Sequence, residues 1–161
     1  MKEIYLDSCV LVAYFSTKKQ EKEKKKLVKE CLQIFSNLKD VQLCISNWAI
    51  AETVNVLISK LRHKRSFVAK YEEELANRKR LQNIKINFIE VSPVKDYDFT
   101  EFFYDIRQGI LRYHSGVGDI IHSVVMKNNN IKSILTFDEK NDFKQIPGLL
   151  VIHPKDIVNI K

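Results

Sequence analysis

The chain has 161 residues, a hydrophobic fraction of 45%, and 27 Lys plus Arg against 20 Asp plus Glu, for a formal net charge of +7. That length predicts a single domain over residues 1–161, and with only four Gly and three Pro there is no linker-like stretch. No apolar run approaches the roughly 20 residues that span a bilayer, and a basic chain favours a polyanionic partner, of which nucleic acid is the commonest.

In chain order, residues 2–6 alternate and then run apolar through Cys9 to Phe15. This predicts a strand ending near Leu6, a turn and a helix start. An Asp in the middle of that segment argues against a secretory leader, so the expected location is cytoplasmic. Residues 18–30 are dense in Lys and Glu, yet Leu27, Cys31, Ile34, Phe35 and Leu38 keep a helical period, which predicts an amphipathic helix with a lysine-rich outer face. Val41 to Ile45 reads as a strand and Ser46 as an N-cap. The helix that follows spans 47–61, with Ile50, Val54, Leu57 and Leu61 as its apolar stripe.

A charged helix is predicted over 66–82, with Phe67, Tyr71, Leu75 and Arg78 on one side, then a strand from Ile86 to Val91. Residues 98–112 read as helix, and Tyr113 to Gly118 as a break. Asp119 to Lys127 forms an apolar helix closed by the Asn128-Asn129-Asn130 run. A strand over 131–136, a polar turn from Asp138 to Phe143 and a short strand from Leu149 to Ile152 complete the chain. Short strands alternating with helices predict an α/β fold with a mainly parallel sheet of four to five strands flanked by helices.

Cys9, Cys31 and Cys44 are odd in number, form no CxxC pair and sit among apolar neighbours, which reads as reduced core cysteines rather than a zinc site. The histidines (His63, His114, His122 and His153) show no ligand spacing with them.

A few acids fall where acids are costly. Asp7 lies at the carboxyl end of the first strand, and Asp138 directly follows Thr136 at the end of another. Glu52 and Asp119 lie near the starts of apolar helices, and Asp142 follows Asp138 by four residues. In open α/β sheets, sites form outside the carboxyl ends of the strands, so these carboxylates are expected to converge. Taken singly, each has an ordinary rival: a strand-end turn for Asp7, a solvent-facing helix position for Glu52, an N-terminal helix acid for Asp119, and turn chemistry for Asp138 and Asp142. Bunched anions repel unless a cation joins them. Hard oxygen donors suit Mg2+ or Mn2+, which stabilise charge on a phosphodiester and activate water. Carboxylates with a basic surface point to phosphodiester hydrolysis.

Four blocks carry a resemblance: Tyr5-Leu6-Asp7-Ser8, Ser46-Asn47-Trp48-Ala49-Ile50-Ala51-Glu52, Gly118-Asp119-Ile120-Ile121-His122, and Ile134-Leu135-Thr136-Phe137-Asp138 through Asp142-Phe143, followed by Ile146-Pro147-Gly148-Leu149. Over residues 3–155 the chain resembles the PIN-domain family, the group that includes the VapC-like toxin ribonucleases. The resemblance implies a three-layer α/β fold and an Mg2+- or Mn2+-dependent endoribonuclease, with Asp7, Glu52 and Asp119 as metal-binding carboxylates. Asp138 or Asp142 would complete the set, with Ser8 and Thr136 in support through their hydroxyls. It also implies a small antitoxin protein and a homodimer as partners, alongside RNA drawn in by the Lys and Arg of 18–29 and 60–65.

Two features depart from the family pattern. Three residues separate Asp138 from Asp142, where one is usual, and the helical stretch 62–82 is long and charged, as a clip over the site or a partner surface would be. His122, one turn after Asp119, reads as a packing or supporting residue. The rival reading of the whole chain is a PIN-like module that binds RNA or protein without cutting. A phosphoryl-transfer enzyme with Asp7 as nucleophile is disfavoured, because Cys9 stands where such hydrolases carry a second Asp.

Overall fold

Three consecutive residues of the first strand, Ile4, Tyr5 and Leu6, are all buried, a pattern that requires cover on both faces of a sheet. The computed structural model, which describes residues 2–78, 80–81, 84–89, 99–113, 115–138 and 143–159, supplies it with helices. Strand β1 (Lys2–Leu6) is central. It pairs in parallel with β2 (Val41–Ser46) on one side and with β6 (Ser133–Leu135) on the other. Beyond these lie β5 (Asn87–Ile89) and β7 (Leu150–Ile152), so the sheet order is β5-β2-β1-β6-β7 with every neighbouring pair parallel. This is the predicted α/β architecture, with five strands.

Helices α1 (Ser8–Phe15), α2 (Lys22–Ser36), α3 (Asn47–Asn55) and α4 (Arg65–Arg78) pack with the sheet into one large apolar cluster. Helices α5 (Phe99–Tyr113) and α6 (Val117–Asn128) close a smaller one around Ile106, Ile120 and Val124. The short α7 (Pro154–Val158) packs against α2. Among the described residues, no helix is long and apolar enough to cross a membrane.

Several expectations are corrected. In α2 the helix begins at Lys22, and its buried row is Val28, Cys31, Leu32 and Phe35, while Leu38 is exposed. The apolar sector is wide there, and docking against α1 selects one edge of it. After Asn55 the helix widens into a π-turn over Val56–Lys60, where the Leu61 N–H reaches the Val56 carbonyl. The charged helix α4 stops at Arg78. Arg80–Leu81 (β3) and Ile84–Lys85 (β4) pair as an antiparallel ribbon, where the helix is predicted to run on to residue 82; the strand predicted from Ile86 to Val91 is β5, Asn87–Ile89, and residues 90–91 lie outside the described residues. Two-residue strands have no readable period. The α4 helix is no free arm: Val68 and Leu75 are core residues, and Tyr71 stacks on Phe15 with ring centroids 4.4 Å apart.

Helix α6 ends as the asparagine run predicts. Asn130 takes a left-handed φ of 56°, and the amides of Asn130 and Ile131 bond back to the carbonyls of Lys127 and Met126. That is a Schellman closure with asparagine in the glycine position. It turns the chain directly into β6, which carries Thr136 to the sheet edge beside β1.

Candidate metal centre

The carboxyl edge of the sheet gathers side chains from β1, β2, α3, α6 and β6. Asp7 leaves β1 at the N-cap position of α1 but makes no side-chain capping bond. Its carboxylate, almost fully buried, is committed elsewhere. Oδ2 accepts from the Thr136 hydroxyl at 2.6 Å and from the Cys9 thiol at 2.9 Å, and Oδ1 accepts from the Ser8 hydroxyl at 3.4 Å. Burial and the neighbouring Asp7 charge push the Cys9 thiol well above its ordinary range, so it remains a donor. Cys31 and Cys44 are buried in the core, but Cys9 is part of the site, a role that its apolar sequence neighbours conceal.

Ser46 caps α3 by accepting the Ala49 N–H at 3.1 Å. That cap sets the helix start, and Glu52 follows in the second turn, half-buried and facing the same edge. The Glu52 Oε2 lies 2.9 Å from His122 Nε2, which is also 3.5 Å from Asp7 Oδ1. The hydrogen bond from His122, helped by Ser8, holds the Glu52 carboxyl below the usual glutamate range against the opposing effect of burial.

His122 is itself held from behind. The Tyr5 hydroxyl lies 2.8 Å from Nδ1 and is also hydrogen-bonded to Ser46 Oγ, and all three residues are buried. Desolvation keeps the Tyr5 hydroxyl protonated far above its ordinary value. One assignment uses every donor once: Ala49 N–H to Ser46, Ser46 to Tyr5, Tyr5 to Nδ1, and Nε2–H to Glu52. In this tautomer His122 orients Glu52 and leaves the carboxylate oxygens of Asp7 and Glu52 as the natural ligands.

Side-chain atoms of Asp7, Glu52 and His122 lie within 4.8 Å of one another, and in the assigned tautomer the two carboxylates are the ligands. The donor set fits a hard divalent cation. So does the space, because at Gly118 a Cβ would stand 2.9 Å from Glu52 Oε1; glycine there leaves room for the carboxylate.

Asp119 and Asp138 lie outside that trio. Asp119 is in the first turn of α6, half-buried, one residue after Gly118. Asp138 donates its amide to Thr136 Oγ1 at 2.9 Å, and its Oδ2 accepts the Phe143 N–H at 3.4 Å, so its carboxylate braces the turn at the end of β6. Asp142 lies outside the described residues. His122, read from the sequence as a packing or supporting residue, stands between the two acids. Its spacing from Asp119 was visible, but which way the imidazole turns depends on how α6 docks.

Two predictions arise here. Tyr5→Phe leaves His122 Nδ1 and the Ser46 hydroxyl without their buried partner, at a cost of about 1–3 kcal/mol in stability, and should weaken Mn2+ affinity about tenfold. Calorimetric titration reads the affinity, and an unchanged value would refute the orienting chain. The second concerns pH. A depressed Glu52 carboxyl contributes stability that is complete above the unfolded value of about 4.3 and is lost as pH falls through the lower folded value. Glu52→Gln should therefore flatten the acid limb of a melting-temperature profile below about pH 4.3. A variant with the wild-type slope would show that the acid limb arises elsewhere.

Comparison with known proteins agrees with the fold. The family model described as the PIN domain matches residues 4–149. No curated protein gives a significant match to the sequence. Three solved structures are similar in fold. VapBC2 from Rickettsia felis, bound to a DNA fragment from its promoter, is 18% identical with a TM-score of 0.62, covering 94% of this chain and 98% of that one. Mycobacterium tuberculosis VapC20, described as a sarcin–ricin-loop-cleaving toxin, is 14% identical with a TM-score of 0.59, covering 88% and 94%. FitAcB from Neisseria gonorrhoeae is 18% identical with a TM-score of 0.55, covering 94% and 98%.

Proposed function

The chain belongs to the PIN-domain family, and from that membership we propose that it is an Mg2+- or Mn2+-dependent endoribonuclease, the toxin of a type II toxin–antitoxin pair. The observation that carries the proposal is the meeting of Asp7 and Glu52 at the sheet edge, with the buried His122 between them. Two carboxylates this close are costly without a cation, and the surrounding hydroxyls, thiol and imidazole are their hydrogen-bond partners.

In this reading Asp7 and Glu52 hold the metal. Asp119 contributes from the start of α6, and Asp138 or Asp142 completes the set from the turn after β6. Thr136, Ser8 and Cys9 fix the Asp7 rotamer, and the Tyr5–His122 chain fixes Glu52. A divalent cation bound there supplies charge neutralisation for the phosphodiester and a lowered pKa for the attacking water. The lysines of α2 attract the RNA backbone, an effect that salt weakens.

The similar structures VapBC2 and FitAcB support a small antitoxin protein as partner. Phe103, Tyr104 and Leu111 of α5, and Val117 at the start of α6, are exposed apolar residues and support a homodimer. Leu111→Glu should shift the mass measured by light scattering from dimer to monomer.

The deciding experiment is cleavage of structured and single-stranded RNAs with Mn2+, with Mg2+ and with chelator. Cutting that needs the metal establishes the nuclease. Absence of both cutting and metal binding would leave a non-catalytic binding module.

A further inference from the structure

A second concave feature lies at the same sheet edge, beside β6 and β7. It is a cavity of about 430 Å3 between α2, the turn after β6 and α7, within the size range of small-ligand sites. Phe137 and His153 line it, their rings nearly perpendicular at 86° with centroids 5.3 Å apart. Lys24, Lys26 and Lys155 surround them, with Glu23 and Glu30 on the α2 wall.

The Phe137 backbone and the His153 ring are held by bonds that do not involve the cavity. The Phe137 amide donates to Cys9 Sγ at 3.2 Å. Its neighbours on either side, Thr136 and Asp138, are bonded to each other, and Thr136 is bonded to Asp7. His153 is the N-cap of α7: its Nδ1 accepts the Lys155 amide while Asp156 closes the capping box. The Lys24 ammonium sits over the Phe137 ring, 5.4 Å from its centroid, so the ring face is within reach of a cation on an exposed residue.

We propose that this cavity is a nucleotide subsite for single-stranded RNA, in which one base stacks on Phe137 against the edge of His153 and the adjoining phosphates pair with Lys24, Lys26 and Lys155. Aromatic stacking platforms beside lysines are the general solution for holding single strands. Position supports it too. Adjacent strands are about 4.8 Å apart, so the ends of β6 and β7 lie one and two strand spacings from Asp7, close enough for the nucleotide next to a scissile bond. As the base takes the ring face, Lys24 moves from the ring to the phosphate. The inference rests on the nuclease reading for its substrate, but its test needs no cleavage.

The test uses the full chain carrying Asp7→Asn, in chelator, with a short labelled single-stranded RNA followed by fluorescence anisotropy. Adding Phe137→Leu should weaken binding about tenfold, and Phe137→Trp should restore it, because stacking contributes on that scale. Lys24→Ala with Lys155→Ala should lower the slope of log affinity against log salt by about 1.4, the single-strand increment for two phosphate contacts. Thermal melting confirms that each variant folds.

Binding within about twofold of the parent in Phe137→Leu, or failure of the Trp variant to restore it, overturns the subsite. So does an absence of RNA binding in the parent. Metal-dependent cutting by the wild type with Phe137-independent binding would sink the subsite alone. Phe137-dependent binding without any cutting would sink the nuclease reading alone.

Discussion

Asp7→Asn should abolish RNA cleavage, by roughly 10³-fold, while leaving the melting temperature unchanged or slightly raised. The size reflects loss of several kcal/mol of metal-supplied charge stabilisation, each 1.36 kcal/mol being a tenfold change in rate. The stability follows from the bonds in place. The Asn carbonyl still accepts from Thr136 and Cys9, which meet Asp7 at Oδ2, and the Ser8 hydroxyl can rotate to accept from the new amide. The substitution also removes one of two neighbouring negative charges, so the metal-free fold loses a repulsion. A variant that cuts at the wild-type rate would show that the centre lies elsewhere; one that unfolds would show that the carboxylate is structural.

Gly118→Ala separates fold from chemistry in the opposite way. Gly118 is the second residue of α6 without a positive φ, so alanine suits its backbone and gains a part of the roughly 1 kcal/mol that separates the two residues in a helix interior. The new methyl, however, would meet Glu52 Oε1 at 2.9 Å. That atom is the end of a flexible side chain, so it gives way cheaply, but the carboxylate turns with it and draws Oε2 off His122 Nε2. Metal affinity and cleavage should fall by about 10–100-fold, the usual cost of disturbing the partners that orient a ligand, while the melting temperature holds or rises. Unchanged affinity in the alanine variant would remove Glu52 from the ligand set.

Much of this architecture could be read from the chain because its signals are long and local. The run from Ile4 to Phe15 marks a buried strand entering a helix, Ser46 announces α3, and the asparagines end α6. What could not be read is set by docking or is too short to repeat. The two-residue strands β3 and β4 have no period. The five-residue α7 is marked only by the His153-Pro154 start that caps it. In the site, the sheet edge brings Asp7 and Glu52 together, as strand order allows a reader to anticipate. The roles of His122, Tyr5 and Cys9 are different. A buried histidine, a core tyrosine and a core cysteine have the same sequence appearance whether or not they touch the acids, and only the rotation of α6 and the registry of β1 against β6 decide it. Asp138 is placed by its bonds to Thr136 and Phe143, and Asp142 lies outside the described residues.

The hydrogen bond between Thr136 and Asp7 spans 129 residues of sequence, and that separation has a consequence for the birth of the protein. At a synthesis rate of about 5–20 residues per second, a ribosome that has just made Asp7 needs roughly 6–25 s to make Thr136. Throughout that interval the nascent chain holds the aspartate without the hydroxyl that fixes it, and for most of it without His122. A parallel sheet whose central strand is made first and whose partner β6 is made near the end cannot close early. The edge that joins Asp7, His122 and Thr136 therefore cannot assemble until the last third of the chain has left the ribosome.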